Sequence, residues 1–185
     1  MGSWGKRPGL LGAGSLLLLD HCDTELMEII RDRPRTVDVE AFLARPLFAH
    51  LSTVSPEGPR ESPVWFLWED EALWILGSRR TDTFPIRIKR DPRCAVGIVD
   101  FDRASGRVHH VGLRGRATIE PFDAKRARRL LSRYLGDDES VWDDRFRRTL
   151  KGRDQELLVR FIPETAVARD VSYDVVSRGQ TAASG

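Results

Sequence analysis

The stretch RCAVGIVDFDRASGRVHHVGLRGRATIEP, Arg93–Pro121, decides the fold. Its first ten residues and its last fifteen are rich in strand formers, and RASG between them reads as a turn. Two long extended segments joined this closely predict neighbouring antiparallel strands. Upstream, LFAHLSTVS, RESPVWFLWED and EALWILGS read as three further strands, divided by the turns PEGP and Glu69–Glu71, and are expected to form an antiparallel meander. DTFPIRIKRDP then reads as a short helix, with Asp82 or Thr83 as cap, Pro85 in its first turn and Asp91-Pro92 at its end.

Downstream, DAKRARRLLSRYLG is an amphipathic helix stopped by Gly136. Its apolar residues are assigned to the core and its arginines to a solvated face. SVWDDRFRRTLKG reads as another helix, and ELLVRFIPETAVARDV as a sixth strand or a pair broken near Pro163. Two more helices are expected near the start: DTELMEIIRDRP, capped by Asp23 or Thr24, and TVDVEAFLARP, capped by Asp38 and stopped by Pro46. Six or more strands with helices between and after them predict a mainly β (α+β) protein, a small antiparallel barrel with peripheral helices.

The 185 residues suit a single domain. Residues 24–176 are assigned to it, 1–23 to a disordered or mis-called extension, and 177–185 to a flexible tail. KRPGLLGAGSLLLL imitates an export signal, but no small-residue cleavage site follows, so Met27 is the candidate start and the cytoplasm the expected compartment. A net charge of +2 is too small for a general nucleic-acid binder. No membrane partner is expected, because the apolar run is shorter than the roughly 20 residues that span a bilayer. Cys22 and Cys94 are far apart and match no metal or disulfide spacing.

No Walker loop, HExxH, GxSxG or CxxC is present, and no catalytic residue is marked. His109 and His110, adjacent in a strand, should point to opposite faces, so they do not share a metal ion and no metal site is expected. The chemistry-bearing segment is GSRRTDTFPIRIKR, Gly77–Arg90. Arg79, Arg80, Thr81 and Thr83 precede a helix start, with Arg87 one turn on. Guanidinium, hydroxyl and amide donors in that order suit a phosphate monoester; the alternative is a solvated loop whose arginines pair with Asp82 and Asp91.

The succession LSTVSPEGPRESPVWFLWEDEALWILGS, RIKRDPRCAVGIVDF and HHVGLRGRATIEP resembles the flavin-binding split barrel of the pyridoxamine 5′-phosphate oxidase-like superfamily, over about Phe42 to Leu135. The resemblance implies a homodimer with FMN at its interface and a flavin-dependent oxidoreductase acting on a small molecule. It implies flavin-ring contacts from Pro63, Val64, Trp65 and Phe66, and phosphate contacts from Ser78, Arg79, Arg80, Thr83 and Arg87. It also implies a polar contact from His110. Thr83-Phe84-Pro85 stands where the family commonly has a basic residue. FIPETAVARDVSYDVV lacks the C-terminal arginine- and histidine-bearing motif of the true oxidases, which argues against a vitamin B6 substrate. The alternatives on the same fold are a deazaflavin coenzyme, with Arg35 and Arg60 as extra contacts, and a haem-binding or cofactor-free carrier or sensor. The tryptophan-rich strands around Trp65, Trp68 and Trp74 point to burial of at least one ring against the second subunit.

Overall fold

The computed structural model describes residues 27–31, 37–152 and 155–175. The expected extension, the caps Asp23 and Thr24, Cys22, Arg35 and the tail lie outside them.

The Arg93–Pro121 hairpin forms as expected. It comprises the strand Arg93–Asp102 and the strand Arg107–Glu120, paired antiparallel from Arg93↔Arg116 to Asp102↔Arg107. In chain order the strands are β1 (Glu28–Arg31), β2 (Ala49–Ser55), β3 (Gly58–Val64), β4 (Leu67–Glu69), β5 (Ala72–Ser78), β6 (Arg93–Asp102), β7 (Arg107–Glu120) and β8 (Glu156–Asp170). The helices are α1 (Val39–Leu43), α2 (Phe84–Arg90), α3 (Ala124–Leu135) and α4 (Asp144–Thr149). The sheet runs β3-β2-β6-β7-β8-β5-β4, and β1 adds parallel to β8.

Several expectations need correction. The segment read as a first helix contains the strand β1; its residues Glu28–Arg31 pair with Thr165–Ala168, and tertiary pairing overrides local helix preference. RESPVWFLWED is two strands interrupted at Trp65-Phe66. The meander is therefore absent: β3 pairs with β2 while β4 pairs with β5, at opposite ends of the sheet path. The segment after α3 is a 3-10 turn, Glu139–Val141, followed by α4 rather than one helix. ELLVRFIPETAVARD is one strand, with an irregularity that pairs Arg114 with Thr165 and Gly115 with Pro163 and leaves Glu164 over.

That extra residue changes which side chains face inward. Before it Leu157, Val159, Phe161 and Pro163 are buried; after it Ala166 and Ala168 are. The bulge flips the alternation so that both halves of β8 serve one core. Opposite it, a Cβ on Gly115 would run into the Ile162 carbonyl. The core also takes Leu51, Phe66, Leu73, Ile75, Val96, Ile98, Val111 and Leu113, each side chain contributing about 1.5–3 kcal/mol on burial. Helix α1, capped by Asp38 accepting from the Ala41 amide at 3.1 Å, adds Val39, Phe42 and Leu43.

Among the described residues one carboxylate is buried, that of Asp100 on β6. Asp100, 6% exposed, receives Arg45 Nη1 at 2.5 Å and Arg107 Nε at 2.7 Å, tying the loop after α1 and the start of β7 to β6. The Arg45 hydrogen bond, with that of Arg107, holds its pKa below the ordinary carboxylate value, against the opposing effect of burial. A depressed pKa contributes stability that is complete above the unfolded value, about 3.9, and is lost as pH falls through the folded value. Asp100→Asn should therefore cost about 1–3 kcal/mol at pH 7, read from urea unfolding. Its deficit against wild type should shrink as both are taken to pH 3.

Candidate functional site

The break between β3 and β4 opens a recess. Backbone groups there lose their ladder partners and must bond elsewhere. Tyr134 of α3 supplies the partner: its hydroxyl accepts from the Phe66 amide at 3.1 Å and lies 2.8 Å from the Leu47 carbonyl and 3.2 Å from that of Phe66. Burial raises the pKa of this phenol and keeps it a hydroxyl. Its ring stacks on Trp65 with centroids 4.6 Å apart, and Trp65 also stacks on Phe146 of α4 at 5.4 Å. Arg133, assigned by sequence to a solvated face, is half-buried instead. It donates to the carbonyls of Leu43 and Arg45, and its guanidinium sits 4.8 Å over the Phe66 ring.

Between these elements lies a cleft of about 590 Å³. Its apolar wall includes Phe48, Val64, Trp65, Leu76, Phe84 and Phe146; its polar lining is Ser78, Thr81, Asp82, Arg145, Thr149 and Glu156. The cleft thus joins the two segments singled out by sequence, Pro63–Trp65 and the end of β5. Phe66 belongs to the core and does not line it. Arg79 and Arg80 are exposed in the adjoining turn.

The loop is tighter than its composition suggests. The Ser78 amide donates to Asp82 Oδ2 at 2.7 Å, the Arg79 amide to the Gln155 carbonyl at 2.8 Å, the Arg80 amide to Ser78 Oγ at 3.4 Å, and the Asp82 amide to the Ser78 carbonyl at 3.0 Å. Helix α2 has only seven residues with Pro85 in its first turn, and Thr83 makes no side-chain cap. Thr83 Oγ1 instead accepts from Arg87 Nη1 at 2.7 Å, and Arg87 Nε donates to Thr53 Oγ1 at 2.7 Å. Arg87 therefore fastens α2 to β2.

His109 and His110 do take opposite faces. His109 shares a row with buried Asp100 and with Asp170, its Nε2 3.8 Å from Asp170 Oδ1. His110 lies on the outer face in the row Val99–His110–Arg169, away from the cleft. Among the described residues no three His, Cys, Asp or Glu groups could hold a metal ion, and no helix is long and apolar enough to cross a membrane. Cys94 is buried, and burial pushes its thiol up to about 11. The cleft residues that sequence reasoning passed over are chiefly those of α4 and β8, namely Arg145, Phe146, Thr149 and Glu156. Nothing in DRFRRT distinguishes a cleft wall from a solvated helix.

The family model described as pyridoxamine 5′-phosphate oxidase matches residues 36–166. The chain belongs to that family. Solved structures of similar fold include the conserved hypothetical protein Rv2991 from Mycobacterium tuberculosis, 18% identical with a TM-score of 0.61, covering 80% of this chain and 94% of that one. An F420 reductase is 26% identical with a TM-score of 0.53, over 71% of this chain and 98% of its own. The haem-storage protein HutZ from Vibrio cholerae is 16% identical with a TM-score of 0.53, over 68% and 87%. No curated protein sequence matches significantly. The pyridoxamine 5′-phosphate oxidase-like split barrel expected from sequence is thus the fold of the chain.

The hydroxyl of Tyr134 closes the strand break, so its removal has a definite cost. Tyr134→Phe leaves the Phe66 amide without its partner and should lower stability by about 1–3 kcal/mol in urea unfolding. Trp65 fluorescence should report the loosened cleft.

Proposed function

We propose that the cleft binds the planar ring of FMN and that the protein is a flavin-dependent oxidoreductase acting on a small molecule. The observation that carries this reading is the junction of the Pro63–Trp65 backbone, the aromatic walls and the Ser78–Asp82 turn in one recess of about 590 Å³. Such a recess has the size of a cofactor site, with aromatic walls beside convergent polar groups. The residues fit the ring. They leave the phosphate to side chains, because the amides of Ser78, Arg79, Arg80 and Asp82 are already engaged. Arg79 and Arg80 in the turn, and Arg145 on α4, are the guanidinium groups available to it. When bound, the flavin would supply hydride or electron transfer. The chain's own part is to hold the ring against the β3 backbone, to exclude water with Phe48 and Phe146, and to place charge at the rim. The chain's lack of the oxidases' C-terminal motif keeps vitamin B6 out of this reading.

A deazaflavin coenzyme is the second reading, favoured by the 26% identity to an F420 reductase over nearly all of that chain. Titrating full-length protein with FMN, F420 and haemin separates the cases. Saturable FMN binding, weakened about tenfold or more by Trp65→Ala, is the expected result. Tighter binding of F420 moves the assignment to the second reading, and a Soret shift with haemin and no flavin binding moves it to a carrier.

The partner in this reading is a second copy of the chain. The reason taken from the tryptophans does not carry it: Trp74 is buried between Arg126 and Arg160, Trp68 packs on the core and bonds Glu40, and Trp65 stacks on Tyr134. The outer face of β6, β7 and β8 supports it better. There Phe101, Val108 and Val171 form one row and Val99 starts the next, with Phe101 59% and Val99 50% exposed. Gly97 and Gly112 pair in the row beyond, keeping that part of the face flat. Apolar rows of this kind mark interaction surfaces. His110, on the same face, would reach a cleft only across such an interface. Light scattering at micromolar concentration should give a dimer mass for wild type and a monomer mass for Phe101→Glu; a monomeric wild type with cofactor present rejects the dimer.

A further inference from the structure

Glu156 opens β8 directly opposite Ser78 of β5, and both residues line the cleft. Asp82, the other acid of the lining, is committed: it accepts the Ser78 amide at 2.7 Å. Glu156 is half-buried, and its carboxyl has no hydrogen bond or salt bridge to a described residue. Burial raises its pKa first and Asp82 beside it raises it further, while exposed Arg80 pulls the other way. The other charged group of the lining, Arg145, has its guanidinium 4.5 Å over the Phe146 ring. One wall of an aromatic recess therefore presents two carboxyl groups, one of them with no hydrogen bond or salt bridge among the described residues.

A partly desolvated carboxyl with no partner is costly, and the cost is offset when a donor or a cation meets it. An anion at the same place would face both acids. We propose that Glu156 sets the charge preference of the cleft: it receives an N–H donor or a protonated amine of the bound molecule and opposes an anionic group beside Ser78. The inference rests on the cleft being the ligand site. It names the class of molecule admitted, a planar or aromatic compound bearing an N–H or ammonium group at that wall. Any phosphate it carries lies toward Arg79, Arg80 or Arg145 instead. The aromatic rings add to the same preference, since their faces attract cations.

The test uses three planar tricyclic probes of different charge on the full chain at pH 8: proflavin (a cation), riboflavin (neutral) and FMN, whose phosphate is a dianion there. Binding is followed by probe fluorescence in wild type, Glu156→Gln and Asp82→Asn. Removing the Glu156 charge should weaken proflavin about tenfold, tighten FMN about tenfold and leave riboflavin within about twofold, one pKa unit of interaction being a factor of ten. Asp82→Asn, whose amide oxygen still accepts from Ser78, should shift the probes in the same directions. Equal changes for all three probes, or none in Glu156→Gln, overturn the proposal while leaving the flavin reading intact. The charge-dependent shift in proflavin without binding of either flavin overturns the flavin reading and sustains this one. Absence of binding by all three to wild type overturns both.

Discussion

Two long strands have to bend at the same place, and the rest of the fold follows from it. Strand β7 pairs with β8 along nearly its whole length, yet the first half of β8 must also reach β5 and its second half β1. A straight pair could not offer both edges to one closed core. The leftover Glu164 bends β8, and Gly115 lets the Ile162 carbonyl approach where any side chain would collide. Because side chains alternate with a period of two, the one-residue insertion exchanges inward and outward positions. The residues after the bulge are small, Ala166 and Ala168, and they face Leu113 and Val111, so the core stays filled across the bend.

The cleft is the second consequence of closing the sheet this way. Strands β3 and β4 end on opposite ends of the path, so the chain must leave one edge and enter the other between Val64 and Leu67. That crossing strips the ladder bonds from Phe66, and a single phenol from α3 replaces them. The same helix carries Arg133 to the carbonyls that end α1, so the crossing, α1 and α3 are locked by polar contacts rather than by apolar packing alone. What remains open between them is lined by backbone of β3, the end of β5 and the side chains of α4.

The abundant arginines divide by burial. Arg45 and Arg107 neutralise Asp100; Arg126 bonds Glu69 and Asp70 while its guanidinium covers Trp74 at 3.7 Å; Arg87 fastens α2. Each is a planar donor spent on structure, a use for which lysine is poorly suited. Arg79, Arg80 and Arg145 are exposed beside the cleft, and opposite in sign to Asp82 and Glu156. The cleft thus has mixed polarity, which a reading of the basic loop by itself could not reveal.

Local signals were sufficient for the strands β2, β5, β6 and β7, for the cap Asp38, and for the stop at Gly136, because alternation, capping side chains and positive-φ glycine act within a few residues. The order of strands resembling the pyridoxamine 5′-phosphate oxidase-like barrel carried the fold as well, and the Pro63–Trp65 and Ser78 segments were legible as parts of one recess. Other features depended on partners distant in the chain. The strand identity of Glu28–Arg31 comes from its pairing with β8, and the break at Trp65-Phe66 from the opposite sheet edges it must join. Arg87 turns to Thr53 across 34 residues, and Glu156 meets Asp82 only because β8 lies beside β5. Sequence spacing determines what a residue can do locally. Which charges finally share a wall is decided by the pairing of strands far apart in sequence, and that pairing is a property of the closed sheet.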